Sequence, residues 1–351
     1  MQIDTTSPVM VTGATGYVAG WIVKGLLDAG LTVHAPVRNP QNLGKVQHLL
    51  KMAENSPGTL RLFKADLLDE GSYAEAMQGC AIVFHTASPF SVNVKDPQTQ
   101  LIDPAVKGTR NVLAEASRTD SVKRVVLTSS CAAIYTDAID CATAPNGTLT
   151  EDIWNTTASL EYQPYSYSKL LAEKAAWEVA NDQSQWDLVV VNPSLVIGPA
   201  TNQSPTSESF NIVRQIGDGT MKAGAPRAGI GLVDVRDLAQ AHIAAAFTPE
   251  AEGRHIISGH NSNLLEMGLA LQSKYGDLYP LPKKALPKWL VWLVGPLSGI
   301  PRKFVSNNVN VEWRADNSKG KRTLGVTYRP LRESMEDMFT QMVDNGVFDK
   351  A

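Results

Sequence analysis

Short apolar runs alternate with longer amphipathic stretches along the first 130 residues of the chain. The runs PVMV, LTVHAPV, LRLFKA, CAIVFHT and VKRVVLTSS predict strands, and the stretches between them predict helices. Strand–helix–strand units form parallel sheets, because the helical crossover returns the chain to the same edge. The runs are apolar without regular alternation, which is typical of strands covered on both faces. The sequence therefore predicts an α/β fold built on a doubly wound parallel sheet.

The second half of the chain continues this pattern and then changes. A long helix is predicted from Tyr165 to Asn181, and the run WDLVVVNPS at 186–194 predicts a sixth strand. Beyond it, residues 198–231 are rich in Gly, Pro, Ser and Thr, and residues 276–303 contain many prolines, which predicts loops and short elements. LVDVRDLAQAHIAAAF, between these regions, again predicts a strand and a helix.

We therefore expect two lobes that interleave in sequence. The first is predicted to comprise residues 1–194, with 230–258 returning to it. The second, smaller and C-terminal, is predicted to comprise mainly residues 195–229 and 259–351.

Composition and charge exclude several classes of protein. Hydrophobic residues make up 43% of the 351 residues and charged residues 19%, which is typical of a folded globular protein. The net charge of −3, without a block of lysine or arginine, gives no reason to expect a nucleic acid or an anionic membrane as partner. Three cysteines without metal-like or redox-like spacing predict neither a disulfide framework nor a metal site. Together with a start that lacks a secretory pattern, they indicate the cytoplasm.

The most apolar segment is WLVWLVGPLSGI at 289–300. It is much shorter than the roughly 20 residues that a membrane-spanning helix needs, so we expect no span. A buried helix or a lid is the favoured interpretation. An interfacial anchor stays open, because five basic residues flank the segment. They are Lys283, Lys284, Lys288, Arg302 and Lys303.

The first predicted strand ends in a glycine turn, VTGATGYVAG, which leads into an amphipathic helix. Small residues at Gly13, Gly16 and Ala19 permit a tight turn and let backbone N–H groups approach a pyrophosphate. A bare strand-to-helix turn has the same pattern, but this position at the start of a strand–helix repeat favours a dinucleotide site. The predicted contacts of the turn are Gly13, Thr15, Gly16, Tyr17 and Val18.

The end of the second strand distinguishes the two nicotinamide dinucleotides. NAD-binding proteins usually carry an acidic residue there, whereas an arginine accommodates the 2′-phosphate of NADP. The stretch VHAPVRNPQNLGKV has no acid and contains Arg38, with Lys45 as a weaker second phosphate contact, so NADP(H) is the predicted cofactor. After the third strand, Asp66 is placed either to accept from the adenine amino group or to cap a helix.

Tyr165 and Lys169 are four residues apart at the start of the long helix, so they share one face. A tyrosine hydroxyl is a poor acid at neutral pH, but a nearby ammonium favours the phenolate and lowers the pKa. Tyr165 is therefore predicted to be a general acid for a carbonyl group, with Lys169 adjusting its pKa. VVLTSSCAAIY supplies Ser129 and Ser130 at a strand end, where such sheets bind ligands, and we choose Ser130 as the hydroxyl that holds the substrate oxygen.

These stretches, together with FKADLLD, VFHTASPF, DPAVKGTRNVL, YSYSKLLAEKAAWE, VNPSLVIGP and LGVTYRPLRESMEDM, run over nearly the whole chain. The chain resembles the extended short-chain dehydrogenases/reductases, and within them the dihydroflavonol 4-reductase branch that includes yeast-type methylglyoxal and ketone reductases. The resemblance implies a Rossmann-type lobe, NADPH, and a catalytic set of Ser130, Tyr165 and Lys169. Ala19 stands where many relatives have a third glycine.

The resemblance also implies roles for further residues. Asn111 matches an asparagine that supports a proton relay in many relatives, and the backbone from Pro193 to Val196 would orient the nicotinamide carboxamide. Further cofactor contacts are expected at Leu67, Thr86, Ala87, Ser88, Tyr165 and Lys169.

The substrate pocket is predicted to be mainly apolar, with walls formed by Phe90, Tyr135, Tyr162 and Leu195. No basic cluster is evident for a sugar diphosphate or a carboxylate, so a small neutral aldehyde or ketone is the expected substrate. We therefore expect an NADPH-dependent carbonyl reductase, monomeric or homodimeric. The alternatives are a hydroxysteroid-type dehydrogenase, a nucleotide-sugar epimerase or dehydratase, and a non-catalytic NADP(H)-sensing protein.

Overall fold

A seven-stranded parallel sheet forms the centre of the computed structural model, which describes residues 6–88, 94–202, 205 and 207–349. The strands of the described residues are β1 (Val9–Thr12), β2 (Thr32–Val37), β3 (Thr59–Lys64), β4 (Ile82–His85), β5 (Arg124–Thr128), β6 (Asp187–Pro193), β7 (Leu195–Ile197), β8 (Gly229–Asp234), β9 (Gly253–Ile257) and β10 (His260–Asn263).

The large sheet has the strand order β3-β2-β1-β4-β5-β6-β9, and every neighbouring pair is parallel. The strand order reverses between β1 and β4, which creates a crevice at their carboxyl ends. Every residue of these two strands is buried, as expected for strands covered on both faces. The predicted Rossmann-type architecture is therefore confirmed.

Helices cover both faces of this sheet and surround a second, smaller one. The helices of the described residues are α1 (Tyr17–Asp28), α2 (Leu43–Glu54), α3 (Ala74–Met77), α4 (Asp103–Arg118), α5 (Pro164–Asn181), α6 (Glu208–Gly217), α7 (Val235–Phe247), α8 (Leu264–Ala270), α9 (Gln272–Tyr275), α10 (Lys288–Val294), α11 (Arg302–Asn308), α12 (Ser318–Leu324) and α13 (Leu331–Asp344).

Two apolar layers hold the helices to the large sheet. On one face, Ile22 and Leu26 of α1 and Leu238 of α7 pack against strand residues such as Val11. Apolar residues of α3, α4 and α5 form the layer on the other face, with Trp186 at its edge. The amphipathic period of each helix thus supplies one apolar stripe to one face of the sheet.

A three-stranded sheet of order β10-β8-β7 forms the second layer of strands. A separate apolar cluster, which includes Val213, Leu271 and Phe339, packs around it. Within residues 230–258, α7 packs on α1 and β9 pairs with β6, whereas β8 belongs to this smaller sheet. The boundaries of the two lobes stay a prediction.

The apolar segment at 289–300 lies on the surface. It forms α10 and a following 3₁₀ turn, and several of its large side chains are exposed. Of the two favoured interpretations, the buried helix is therefore wrong, because only Val291 and Gly295 of the segment are buried. The lid stays a prediction. Within the described part of the chain, no helix has both the length and the apolarity needed to cross a membrane.

Candidate active site

The glycine turn places the uncapped N-terminus of α1 at the crevice. Gly13 has a φ of +66°, and a Cβ there would lie 3.0 Å from the Cα of Ala87. The N–H of Gly16 donates to the Gly13 carbonyl at 2.8 Å, which closes the turn. Among the described residues, no side chain caps α1, and its first turn contains no acid. The free N–H groups therefore fit an anion such as a pyrophosphate.

The other predicted residues of the turn have different surroundings. The Tyr17 hydroxyl donates to the Gly198 carbonyl at 2.6 Å, and the half-buried Val18 packs against the core, so the cofactor contacts expected of both stay predictions. The carbonyl of Thr15 accepts from Nδ2 of Asn202 at 3.3 Å. Sequence reasoning missed Asn202, which reaches the turn from the loop that follows β7.

A groove of about 1140 Å³ extends from this turn to the end of β2. Thr15, Gly16, Arg38 and Lys45 line it, together with Lys51 of α2. Arg38 and Lys45 are exposed, and no carboxylate is among the described residues that line the groove. The groove is therefore basic, as a ligand with an additional phosphate requires.

The loop after β3 is held by α4. Oδ1 of Asp66 accepts from the N–H of Leu68 at 3.0 Å, so Asp66 closes a turn and does not cap a helix. Leu67 packs against Gly108, where a Cβ would come within 2.4 Å of the Leu67 Cγ. Nδ2 of Asn111 donates to the carbonyls of Leu67 and Asp69 at 3.0 and 2.9 Å.

These contacts fix the Asn111 side chain between α4 and the loop after β3, and its implied role in a proton relay stays a prediction. The α4 residue that lines a small cavity beside Lys169 is Thr109. The cavity is also lined by Ala87 and Ser88, which follow β4. Their position is fixed by β1: Oγ1 of Thr86 donates to the carbonyl of Thr12 at 2.5 Å, and the N–H of Ala87 donates to Thr12 Oγ1 at 3.0 Å.

Ser130 and Tyr165 meet at the carboxyl end of β5. Ser130 is extended at the start of a 3₁₀ turn, where its Oγ accepts from the N–H of Ala132 at 3.1 Å. Tyr165 exposes 39% of its surface, but its hydroxyl is buried against Ser130. Burial raises the pKa of Tyr165, and a hydrogen bond with the Ser130 side chain opposes this increase.

Lys169 follows one helical turn after Tyr165 and is buried. Its Nζ lies 5.9 Å from the centroid of the Tyr165 ring. Burial lowers the pKa of Lys169 to about 8, and the carboxylate of Glu173 opposes that decrease. Burial raises the pKa of Tyr165, so the expected lowering of that pKa by Lys169 stays a prediction.

A buried ionic network supports α5 behind Lys169. The Glu173 carboxylate accepts from Nε of Arg254 at 2.6 Å, from Nδ2 of Asn192 at 2.8 Å, and from the hydroxyl of Ser129. Ser129 is thus occupied within the network, whereas Ser130 faces Tyr165. Sequence reasoning missed Glu173, although its spacing of four residues from Lys169 is a usable signal.

The end of β6 carries the residues implied for the nicotinamide. Pro193 is buried, and Val196 packs near α1. Between them, the buried Oγ of Ser194 has no hydrogen-bond partner among the described residues. An unsatisfied buried hydroxyl is costly, so this position fits a polar ligand group such as a carboxamide.

The predicted pocket residues each contact a different part of the structure. The ring of Tyr135 packs against that of Trp313, with 5.6 Å between the ring centroids. The Tyr162 hydroxyl donates to Oδ2 of Asp137 at 2.7 Å. Leu195 packs against the apolar cluster of the smaller sheet. Phe90 lies outside the described residues. The substrate pocket therefore stays a prediction.

Comparison with known proteins agrees with this fold. A sequence model described as the NAD dependent epimerase/dehydratase family matches residues 9–258. The chain belongs to this family. It is an extended short-chain dehydrogenase/reductase, as the sequence motifs indicated.

Three of its relatives are reductases. The chain is 37% identical to the cinnamoyl-CoA reductase CAD2 of Medicago truncatula, over 94% of this chain and 93% of that one. It is 33% identical to the bifunctional dihydroflavonol 4-reductase/flavanone 4-reductase of Malus domestica, over 96% of this chain and 89% of that one. A structure of the yeast methylglyoxal/isovaleraldehyde reductase Gre2, complexed with NADPH, matches with a TM-score of 0.76 at 28% identity. The match covers 97% of this chain and 99% of that one.

This member of the family is an NAD(P)-dependent oxidoreductase of the dihydroflavonol 4-reductase-like branch. The predicted use of a nicotinamide cofactor is confirmed.

Proposed function

We propose that the chain reduces neutral aldehydes or ketones to alcohols with NADPH. The observation that carries the proposal is the meeting of the Ser130 and Tyr165 hydroxyls beside Lys169, at the carboxyl end of β5. This is the edge at which open α/β sheets bind their ligands.

The basic groove supports NADPH over NADH as the cofactor. The N-terminus of α1 would hold the pyrophosphate, and Arg38 with Lys45 would hold the 2′-phosphate. Lys169 would bind the nicotinamide ribose, and the backbone around Ser194 would bind the carboxamide. When bound, NADPH supplies the hydride that the carbonyl carbon receives.

The side chains of the site stabilise charge and move one proton. Ser130 and Tyr165 both donate to the carbonyl oxygen, where negative charge develops as the carbon is reduced. Since burial raises the pKa of Tyr165, its hydroxyl is protonated at neutral pH and is ready to donate. Tyr165 then gives its proton to the alkoxide. The Lys169 ammonium stabilises the tyrosinate that remains.

A neutral and fairly apolar carbonyl compound suits the predicted pocket walls, Phe90, Tyr135, Tyr162 and Leu195. The relatives named for cinnamoyl-CoA, dihydroflavonols and methylglyoxal all take carbonyl compounds, but of different size and charge. The catalytic hydroxyls would be shared by all of these substrates, so pocket shape and charge decide between them.

The decisive experiment follows the absorbance of NADPH, and separately of NADH, with a panel of neutral aldehydes, diketones and aryl ketones. We expect rapid loss of NADPH and little loss of NADH. Cinnamoyl-CoA is included in the panel, and a strong preference for it would replace the neutral carbonyl substrate with an acyl-CoA ester. Hydroxysteroids with NADP⁺ test the oxidative alternative.

Binding of the cofactor without consumption of either dinucleotide would contradict the proposal. It would favour an epimerase, a dehydratase or a non-catalytic sensor. Conversion of a nucleotide sugar with tightly held NAD would then separate the first two from the sensor.

A further inference from the structure

The segment that forms α10 and the following 3₁₀ turn exposes a set of large apolar side chains, here called the apolar patch. Trp289 is 68% exposed and Leu297 89% exposed. Trp289, Trp292 and Leu293 lie three and four residues apart, so they share one face of α10. Contiguous exposed apolar surface with a polar rim marks an interaction site in a soluble protein. The patch consists of Trp289, Trp292, Leu293, Val294 and Leu297.

The opposite side of the segment is firmly attached to the fold, so the patch is a fixed surface. Val291 is buried in a cluster with Val305 and Val309. Nζ of Lys288 donates to the carbonyl of Ser306 at 2.8 Å, and the Arg302 guanidinium lies 4.3 Å from the centroid of the Trp292 ring. The exposed rings are therefore held outward by packing on their other side.

The segment of the chain that contains the patch carries charge of one sign only. Residues 278–311 contain Lys283, Lys284, Lys288, Arg302 and Lys303 and no aspartate or glutamate, although the whole chain has a net charge of −3. All of these cations except Lys288 are exposed. Exposed positive charge and exposed apolar side chains thus occur in the same segment of the chain.

We propose that the apolar patch docks on the surface of an anionic lipid bilayer. Tryptophan and leucine side chains enter the boundary between headgroups and acyl chains, and the flanking lysines and arginines bind anionic headgroups. α10 has seven residues, so it lies in the interface and does not span it.

Charge complementarity favours this occupant over a second copy of the chain. In a symmetric dimer the same patch would face itself, and the basic rims would repel one another. An anionic bilayer instead attracts the exposed cations of the rim.

The test is sedimentation of the full chain with vesicles of phosphatidylcholine, with and without phosphatidylserine. We expect binding to the vesicles that contain phosphatidylserine, a blue shift of tryptophan fluorescence on binding, and weaker binding as the salt concentration rises. Equal binding to both kinds of vesicle, or to neither, would overturn the proposal.

Two double variants separate the apolar and the electrostatic contributions. Trp289→Ser with Leu297→Ser should abolish the fluorescence shift and most of the binding. Lys283→Ser with Lys284→Ser should lower binding about fivefold for each charge removed. The controls carry matched changes at exposed positions outside the segment: Lys64→Ser with Lys107→Ser for charge, and Leu68→Ser for apolar surface.

The controls should bind vesicles like the parent. If the Trp289 and Leu297 variant also bound like the parent, the patch would not be the docking surface. If vesicles failed to bind and the same variant converted a dimer to a monomer in solution, the patch would be a subunit interface instead.

Discussion

Glu173 lies one helical turn beyond Lys169 on α5, and its buried carboxylate favours the charged form of that lysine. Burial alone would lower the pKa of Lys169 further, because it penalises the ammonium. The pKa of about 8 is therefore a balance between burial and this carboxylate. Glu173 is itself fixed by Arg254, Asn192 and Ser129, so the network controls the charge beside Tyr165.

Replacement of Glu173 tests this balance. Glu173→Gln keeps the volume of the side chain but removes its charge, so the pKa of Lys169 should fall further below its usual value. The ammonium is lost as pH rises through that pKa, and activity that depends on it should therefore decline at a lower pH than in the parent. The measurement is kcat/KM for NADPH-dependent reduction from neutral to alkaline pH.

Glu178→Gln is the matched control, since Glu178 lies on the same helix with an exposed side chain. Its pH profile should overlay that of the parent. An unchanged profile for Glu173→Gln, at unchanged stability, would show that Glu173 does not act through Lys169.

The pair of Arg254 and Glu173 also predicts a large effect on stability. The Nε to Oε1 distance is 2.6 Å, and both side chains are buried. Arg254→Leu leaves the Glu173 carboxylate buried without its cation, which should cost about 3–5 kcal/mol in the free energy of unfolding. Urea denaturation at neutral pH measures this cost.

An exposed ion pair provides the comparison. Arg314 and Glu312 are 57% and 77% exposed, so Arg314→Leu should cost no more than about 1 kcal/mol. Equal losses for the two variants would mean that the buried network contributes nothing beyond an ordinary surface pair.

Features that depend on local spacing could be predicted from the sequence. Tyr165 and Lys169 share a helical face because they are four residues apart, and the glycine turn follows directly from its position between β1 and α1. The parallel sheet follows from the repeated alternation of apolar runs and helices. These patterns are carried by residues close in the chain.

Features that depend on tertiary contacts could not be predicted from the sequence. Arg254 reaches Glu173 across 81 residues, and only the pairing of β9 with β6 brings it there. The pKa of Tyr165 is raised by burial, which depends on how the whole chain packs around the hydroxyl. The apolar sequence around Trp289 led us to expect burial, but this side chain is exposed. Composition alone does not show which face of a short helix is covered.

Arg38 is expected to determine the preference for NADPH over NADH. It is exposed in the basic groove immediately after β2, where a 2′-phosphate would lie. Arg38→Ala should raise the KM for NADPH about 10- to 100-fold, as expected for the loss of a charged hydrogen bond, and leave the KM for NADH nearly unchanged. Steady-state kinetics with both dinucleotides measure the change.

Arg61→Ala, at an exposed position of β3 outside the residues that line the groove, should leave both KM values as in the parent. Parallel increases for NADPH and NADH in Arg38→Ala would instead assign Arg38 to a part of the dinucleotide that both share.

The hydroxyl of Tyr165 makes the sharpest prediction for catalysis. Tyr165→Phe removes the proton donor but keeps the ring, so kcat should fall by about 10² to 10³ while the affinity for NADPH is retained. Ser130→Ala should have a similar effect. Because the two hydroxyls act on the same oxygen, the double variant should lose less than the product of the two single effects.

Tyr167→Phe is the matched control on the same helix, two residues away, and should keep the activity of the parent. Turnover number and fluorescence titration with NADPH separate catalysis from cofactor binding. Full activity in Tyr165→Phe would remove Tyr165 from the mechanism. Loss of NADPH binding in that variant would mean that the hydroxyl holds the cofactor and is not primarily the acid. Retained binding with lost turnover is the result that the buried contact with Ser130 leads us to expect.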